Sequence, residues 1–223
     1  FNKRSNYQIL NIKTNIKNFF FDLKINIYRK RNYIKNINLN LIGRYNISNA
    51  AAAIAICDNL GINHDIIKRA LKKFSGVQRR MTKIFTKNKN NFYDDYAHHP
   101  TEIESVLSSV KEVYKNRKII TIFQPHRYSR VKILKKEFNK CFKKTNLLIL
   151  CPIFPAGEKK DKKFNEDNFA KSIAKNSKVQ VVNIKNEIDI KKYLKKNLIS
   201  DEIIIGMGAG SISQWMRNLK NNL

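Results

Sequence analysis

Two short polar blocks hold the side chains best suited to chemistry. The first is Asp94-Asp95-Tyr96-Ala97-His98-His99-Pro100-Thr101-Glu102, and the second is Gln124-Pro125-His126-Arg127-Tyr128-Ser129-Arg130; each follows an apolar, strand-like run. Adjacent aspartates ending a strand can accept hydrogen bonds from ribose hydroxyls or hold a magnesium ion. Pro100 suits the first position of a helix. His98 and His99 then precede a helix N-terminus, where an anion is favoured, although the same pair also reads as a plain helix entry. Arg127 and Arg130 lie three apart, so on a helical turn they share a face and can fork onto one carboxylate or phosphate. His126 adds a donor whose charge changes near neutral pH. The two blocks together describe a site for an anionic substrate.

Such a site needs elements that bring the blocks together. Apolar runs at Ile119–Phe123, Leu147–Leu150, Val179–Val182 and Ile203–Ile205 alternate with amphipathic stretches such as Glu102–Tyr114 and Lys132–Phe142. Short, nearly continuous β-branched runs between helices imply a parallel sheet covered on both faces. The expectation is a doubly wound α/β domain from about Val77 to Leu223, with right-handed crossovers. Ligands of such sheets bind at the carboxyl ends of the strands, which is where both blocks fall. Residues 7–42 alternate apolar and polar positions and read as two or three strands. Gly43 breaks them, an alanine-rich helix runs from Ile47 to about Leu60, and Asn63 caps a second helix ending near Phe74. Ser75-Gly76-Val77 is the candidate domain boundary.

Composition narrows the function classes. The 45 Lys and Arg against 17 Asp and Glu give a formal charge of +28 in 223 residues, which favours polyanionic partners. Lysine recurs in every segment, however, so the excess reads as a sequence-wide bias and not as a patch. A basic nucleic-acid-binding module is the reading from a different class, and neither a recognition motif nor an aromatic stacking platform supports it. Cys57, Cys141 and Cys151 have no metal-binding spacing and read as reduced thiols of a cytoplasmic protein. No apolar stretch reaches the ~20 residues that span a bilayer. Met207-Gly208-Ala209-Gly210 lacks the third glycine of a dinucleotide turn and reads as a tight turn close to a neighbour. Trp215, on an amphipathic terminal helix, reads as a core residue.

The two polar blocks, with Gly43-Arg44-Tyr45-Asn46-Ile47-Ser48-Asn49-Ala50-Ala51, resemble the Mur ligases. Gly76-Val77-Gln78-Arg79-Arg80-Met81, Ala156-Gly157-Glu158 and Met207-Gly208-Ala209-Gly210 fall in order where that family has similar blocks. The likeness runs from Gly43 onward and is greatest to members that join L-alanine to UDP-N-acetylmuramate in peptidoglycan synthesis. It implies a C-terminal Rossmann-like doubly wound domain over 76–223, preceded over 1–75 by the tail of a central α/β ATPase domain. It implies ATP and Mg2+ as cofactors and a cytoplasmic ligase: ATP phosphorylates the muramoyl carboxylate, and the amine of L-alanine displaces phosphate. Asn46 and Asn49 match positions near the adenine, Arg80 one that reaches the phosphates, and Asp95 one that holds the ribose. His98, His126, Arg127 and Arg130 match the amino-acid end of the site. No residue matches a metal ligand, no nucleic-acid or membrane partner is implied, and the likeness does not specify an oligomeric state.

Two departures stand out. Tyr45 occupies a position where the family usually has His, and no G-x-x-G-K-[ST] phosphate loop occurs in the sequence. The chain also opens at Phe1 inside a strand-like pattern. The expectation is therefore the C-terminal part of a longer enzyme, inactive alone and hinged near Gly76. A ligase that reattaches recycled murein peptide is the alternative within the family.

Overall fold

A computed structural model describes residues 5–15, 18–27, 30–221 and 223; Phe1, where the chain opens, lies outside them. The chain divides into two compact units, residues 1–76 with 112–114, and residues 77–111 with 115–223.

In the first unit three antiparallel strands, β1 (Tyr7–Thr14), β2 (Phe19–Ile27) and β3 (Lys30–Leu39), form one sheet in sequence order. Alternate residues Phe19, Phe21, Leu23 and Ile25 of β2 are buried with Ile34, Ile37 and Leu39 of β3. The three-residue step from Ile34 to Ile37 breaks strict alternation, and a bulge resolves it. Asn11 and Asn36 both take left-handed backbone (φ 51 and 55), a conformation asparagine tolerates. One carboxylate ties down both irregularities, because Asp22 accepts from Asn11 Nδ2 and from the Asn36 amide, each at 2.8 Å. The Asn11 and Asn36 donors hold the Asp22 carboxyl below its ordinary value.

Helix α1 (Arg44–Asn59) and helix α2 (His64–Lys73) complete this unit. The first starts three residues earlier than its sequence pattern indicates. Gly43 makes the turn at φ 112, where an added Cβ would lie 2.5 Å from the Tyr45 ring. Asn63 caps α2 by accepting from the Asp65 amide, as the sequence indicates.

The second unit is the doubly wound domain. Its elements are β4 (Thr82–Lys87), β5 (Asn90–Asp95), α3 (Pro100–Val113), β6 (Ile119–Phe123), α4 (Tyr128–Ile133), α5 (Lys135–Phe138), β7 (Leu147–Leu150), α6 (Glu166–Ser177), β8 (Gln180–Asn183), α7 (Glu187–Asn197), β9 (Ile203–Met207) and α8 (Ile212–Asn218). The sheet order is β4-β5-β9-β6-β7-β8. All neighbours are parallel except the edge strand β4, which pairs antiparallel with β5. Every residue of β6 and β9 is buried, as a strand covered on both faces requires. Within β6, Thr121 is paid for by a 2.9 Å hydrogen bond to Thr145. The single helix expected over Lys132–Phe142 is instead two short ones that start earlier and meet at Leu134, yet the Leu134 and Phe138 amides still reach their i−4 carbonyls.

The strand order creates the site. β9, last in sequence, inserts between β5 and β6 and aligns Asp95, Met207 and Phe123 in one row. The three segments that follow these residues therefore emerge side by side at the carboxyl edge.

Candidate functional site

The three segments are sewn together by backbone. The Gly208 amide donates to Asp95 O at 3.2 Å and the Gln124 amide to Met207 O at 3.0 Å. The close approach expected of the glycines is present. A Cβ on Gly208 would lie 2.6 Å from Gln124 O, and one on Gly210 would lie 2.5 Å from Gln124 Oε1 and 2.6 Å from the Phe154 ring. Gln124 itself is buried, and its Oε1 accepts the Ile212 amide at the start of α8.

His126 and His98 come together across this edge, with ring centroids 5.9 Å apart. His126 stacks on Phe154 at 5.6 Å, and Arg130 Nη1 lies 3.2 Å from His126 Nδ1. Burial, then the charges of Arg130, His98 and Arg127, push the His126 imidazole below its ordinary value. Burial and positive neighbours thus both disfavour the charged form of this ring. Arg130 lies on α4, but Arg127 does not share its face. Arg127 is the exposed residue before the helix, at φ 70, with its amide donating to Phe154 O at 2.9 Å. A two-arginine fork on one helical turn is not what this backbone builds.

The aspartate pair also differs from its sequence reading. Asp94 and Asp95 are 1% and 0% exposed. Asp95 accepts from the Met81 amide and the Ala97 amide, both at 2.8 Å, one on each carboxylate oxygen. Burial pushes its carboxyl up from 3.8 to about 6 against those two donors and Arg80. Asp94 is hydrogen-bonded by Ser213 and lies 4.0 Å from Arg79 and 3.8 Å from Arg217. Both oxygens of Asp95 and one of Asp94 thus hold the chain around them.

What Asp95 holds is the loop that carries Arg80. Residues Arg79 and Met81 both have left-handed backbone, and the Tyr96 amide donates to Arg79 O at 2.7 Å. Arg80 is half-exposed, its guanidinium 5.8 Å from the Tyr96 ring and 4.0 Å from Glu102. Arg79 lies over the same ring at 4.6 Å, at cation–π range. Glu102 accepts from the His98 and His99 amides and lies 3.5 Å from the His98 ring. Burial pushes its carboxyl up, but the two amides, His98 and Arg80 together hold it below its ordinary value. His99 contributes its amide and its Nδ1 to the helix entry.

Tyr96, Glu102, Arg79 and Phe154 had no role assigned from sequence. Glu102 was findable, since Glu at the third helical position after Pro100 is a capping signature. Nothing local in the sequence marks Phe154, which reaches His126 only through a parallel bridge between strand extensions.

Asn46 and Asn49 lie in the first unit, three apart on α1 and so on one face. Asn49 is exposed, and Asn46 donates from Nδ2 to Ile42 O at 2.8 Å. Tyr45 packs its ring against Gly43. Cys57, Cys141 and Cys151 are free thiols. Trp215 packs against the core of the second unit. Among the described residues no helix is long and apolar enough to cross a membrane.

In a doubly wound domain, ligands bind at the carboxyl ends of the strands, which is the edge where His98, His126 and Arg130 meet. The family description "Mur ligase, glutamate ligase domain" matches residues 79–210, and the chain belongs to the Mur ligase family. A UDP-N-acetylmuramate–L-alanine ligase of Pelagibacter ubique is 52% identical over 217 residues, 97% of this chain and 47% of that protein. One of Vesicomyosocius okutanii is 40% identical over 226 residues, 100% of this chain and 48% of that protein. The crystal structure of the Thermotoga maritima UDP-N-acetylmuramate–alanine ligase matches at a TM-score of 0.80 and 25% identity, over 99% of this chain and 46% of that one. A murein peptide ligase from Psychrobacter arcticus shares the fold at 0.67 and 21%. The chain spans about half the length of the curated relatives it matches.

Proposed function

We propose that this chain works in the ATP-dependent ligation of L-alanine to UDP-N-acetylmuramate, the first amino-acid addition of peptidoglycan synthesis, in the cytoplasm. The observation that carries the reading is the corner of His98, His126 and Arg130, in a chain 52% identical to a ligase of that name. In this reading residues 1–75 are the end of the central ATP-binding domain and residues 76–223 are the C-terminal domain.

ATP supplies the phosphoryl group that activates the muramoyl carboxylate as an acyl phosphate, with Mg2+ offsetting its charge. Among the described residues no group of three or more His, Cys, Asp or Glu is placed to hold a metal. Arg130 and His126 grip the L-alanine carboxylate, with the exposed Arg127 adding positive charge at the rim. His98, oriented by Glu102 and the Tyr96 carbonyl, faces the same space and orients the amine. Fixing nucleophile and acyl donor in line is itself worth a large share of the barrier. Arg80 reaches the nucleotide phosphates, and Asn46 and Asn49 offer amide groups to the adenine. Asp95 serves the nucleotide indirectly, by holding the Arg80 loop.

The test is ATP-dependent transfer of labelled L-alanine to UDP-N-acetylmuramate by the product of the complete gene that contains this sequence, in competition with L-alanyl tripeptide. Preference for L-alanine supports the reading. Preference for the tripeptide, or failure to restore growth to a strain lacking the L-alanine ligase, refutes it.

A further inference from the structure

The Ala156-Gly157-Glu158 segment has no part in the reading above, yet it is bound tightly to the anion corner. It runs beside residues 125–129: Phe154 N donates to Pro125 O at 2.8 Å, and Arg127 N donates to Phe154 O at 2.9 Å. The chain then turns back through two successive left-handed residues, Ala156 at φ 49 and Gly157 at φ 88. That turn aims Glu158 at the start of α4. Its Oε2 accepts the Ser129 amide at 3.1 Å, and its Oε1 accepts the Ser129 hydroxyl. The first turn of α4 needs such a partner, because the residue in the cap position is Arg127, whose side chain makes no cap hydrogen bond. A second tie, Lys132 to Asp161, anchors the following loop to the same helix.

We infer that Glu158 is a positioning residue: it caps α4 from another segment and so fixes the backbone on which His126 and Arg130 grip the amino-acid carboxylate. The geometry explains how Arg127 holds an unfavourable φ of 70. The amides on either side of the helix start, those of Arg127 and Ser129, are both committed to the 154–158 segment. Without the carboxylate the first turn frays, and Arg130, one turn in, loses its fixed distance to His126. Ser129's hydroxyl fixes the second oxygen of that carboxylate. The role rests on the reading in which this corner binds a carboxylate.

The 223-residue chain serves for the test, by NMR. Glu158→Ala is expected to speed hydrogen exchange of the Ser129 amide about fivefold to tenfold, as loss of a helix cap does, and to weaken L-alanine binding about fivefold. Glu158→Gln, whose amide oxygen still accepts, restores part of both. The exposed Lys159→Ala changes neither. Unchanged Ser129 exchange in Glu158→Ala overturns the capping role. Faster exchange with unchanged L-alanine affinity overturns the positioning role and leaves the ligase reading standing. No L-alanine binding by the wild-type chain overturns the carboxylate reading and this inference with it.

Discussion

Asp95→Asn separates the two forces on the most buried acid of the site. The carboxyl is fully buried and accepts two backbone amides, from Met81 and Ala97. Burial disfavours its charge and the amides favour it, and burial wins, placing it at about 6 in place of 3.8. A carboxyl raised in the fold contributes stability that is fully present below pH 3.8 and is lost as pH rises through about 6. At about 1.4 kcal/mol per pH unit, the fold gives up about 3 kcal/mol across that window. Asparagine carries no such charge. Its NH2 must instead face one of the two amide donors, a penalty of about 1–3 kcal/mol that does not vary with pH.

The variant should therefore be less stable than wild type at pH 3.5 and should regain about 3 kcal/mol relative to wild type by pH 7.5. Comparing the two proteins cancels every other titration they share. Urea unfolding followed by Trp215 fluorescence is the assay, since the lone tryptophan packs on the core of the unit that contains Asp95. A wild-type-to-variant difference that stays constant between those pH values refutes the argument, and a trend of opposite sign means that the amides outweigh burial.

Gly210→Ala puts a Cβ 2.5 Å from Gln124 Oε1 and 2.6 Å from the Phe154 ring. It should cost about 1–3 kcal/mol of stability by overpacking and move the His126 ring, read as a change in its NMR shifts. In the first unit, Asp22→Ala removes the acceptor of both Asn11 and Asn36. A loss of about 1–2 kcal/mol is expected, measured by hydrogen exchange of the β2 and β3 amides. Because the Asp22 carboxyl is held below its ordinary 3.8, this difference is present above that pH and fades as pH falls further.

Much of the second unit was legible because its signals are local. Continuous apolar strands, the Pro100 helix start and the turn glycines each reflect forces acting within a few residues. The same holds for α2, whose cap Asn63 sits next to the backbone it serves. Less was legible where two distant segments meet. The alternation of residues 7–42 marks strands, but the bulges depend on Asp22 reaching Asn11 and Asn36 on its neighbours. Arg127 and Arg130 look like a helical pair until the backbone before α4 is drawn to Phe154, which turns Arg127 out of the helix.

The sequence by itself determined the doubly wound class, the strand-end location of both polar blocks and, through their order, the family. Those are properties of period, turn chemistry and motif. The tertiary structure alone decided that β9 lies between β5 and β6, because strand order is set by crossovers and not by any one strand's composition. It also decided that Asp94 and Asp95 face inward. Two aspartates ending a strand look like ligands in a string of letters; once their neighbours close over them, desolvation and the amides of Met81 and Ala97 make them parts of the scaffold.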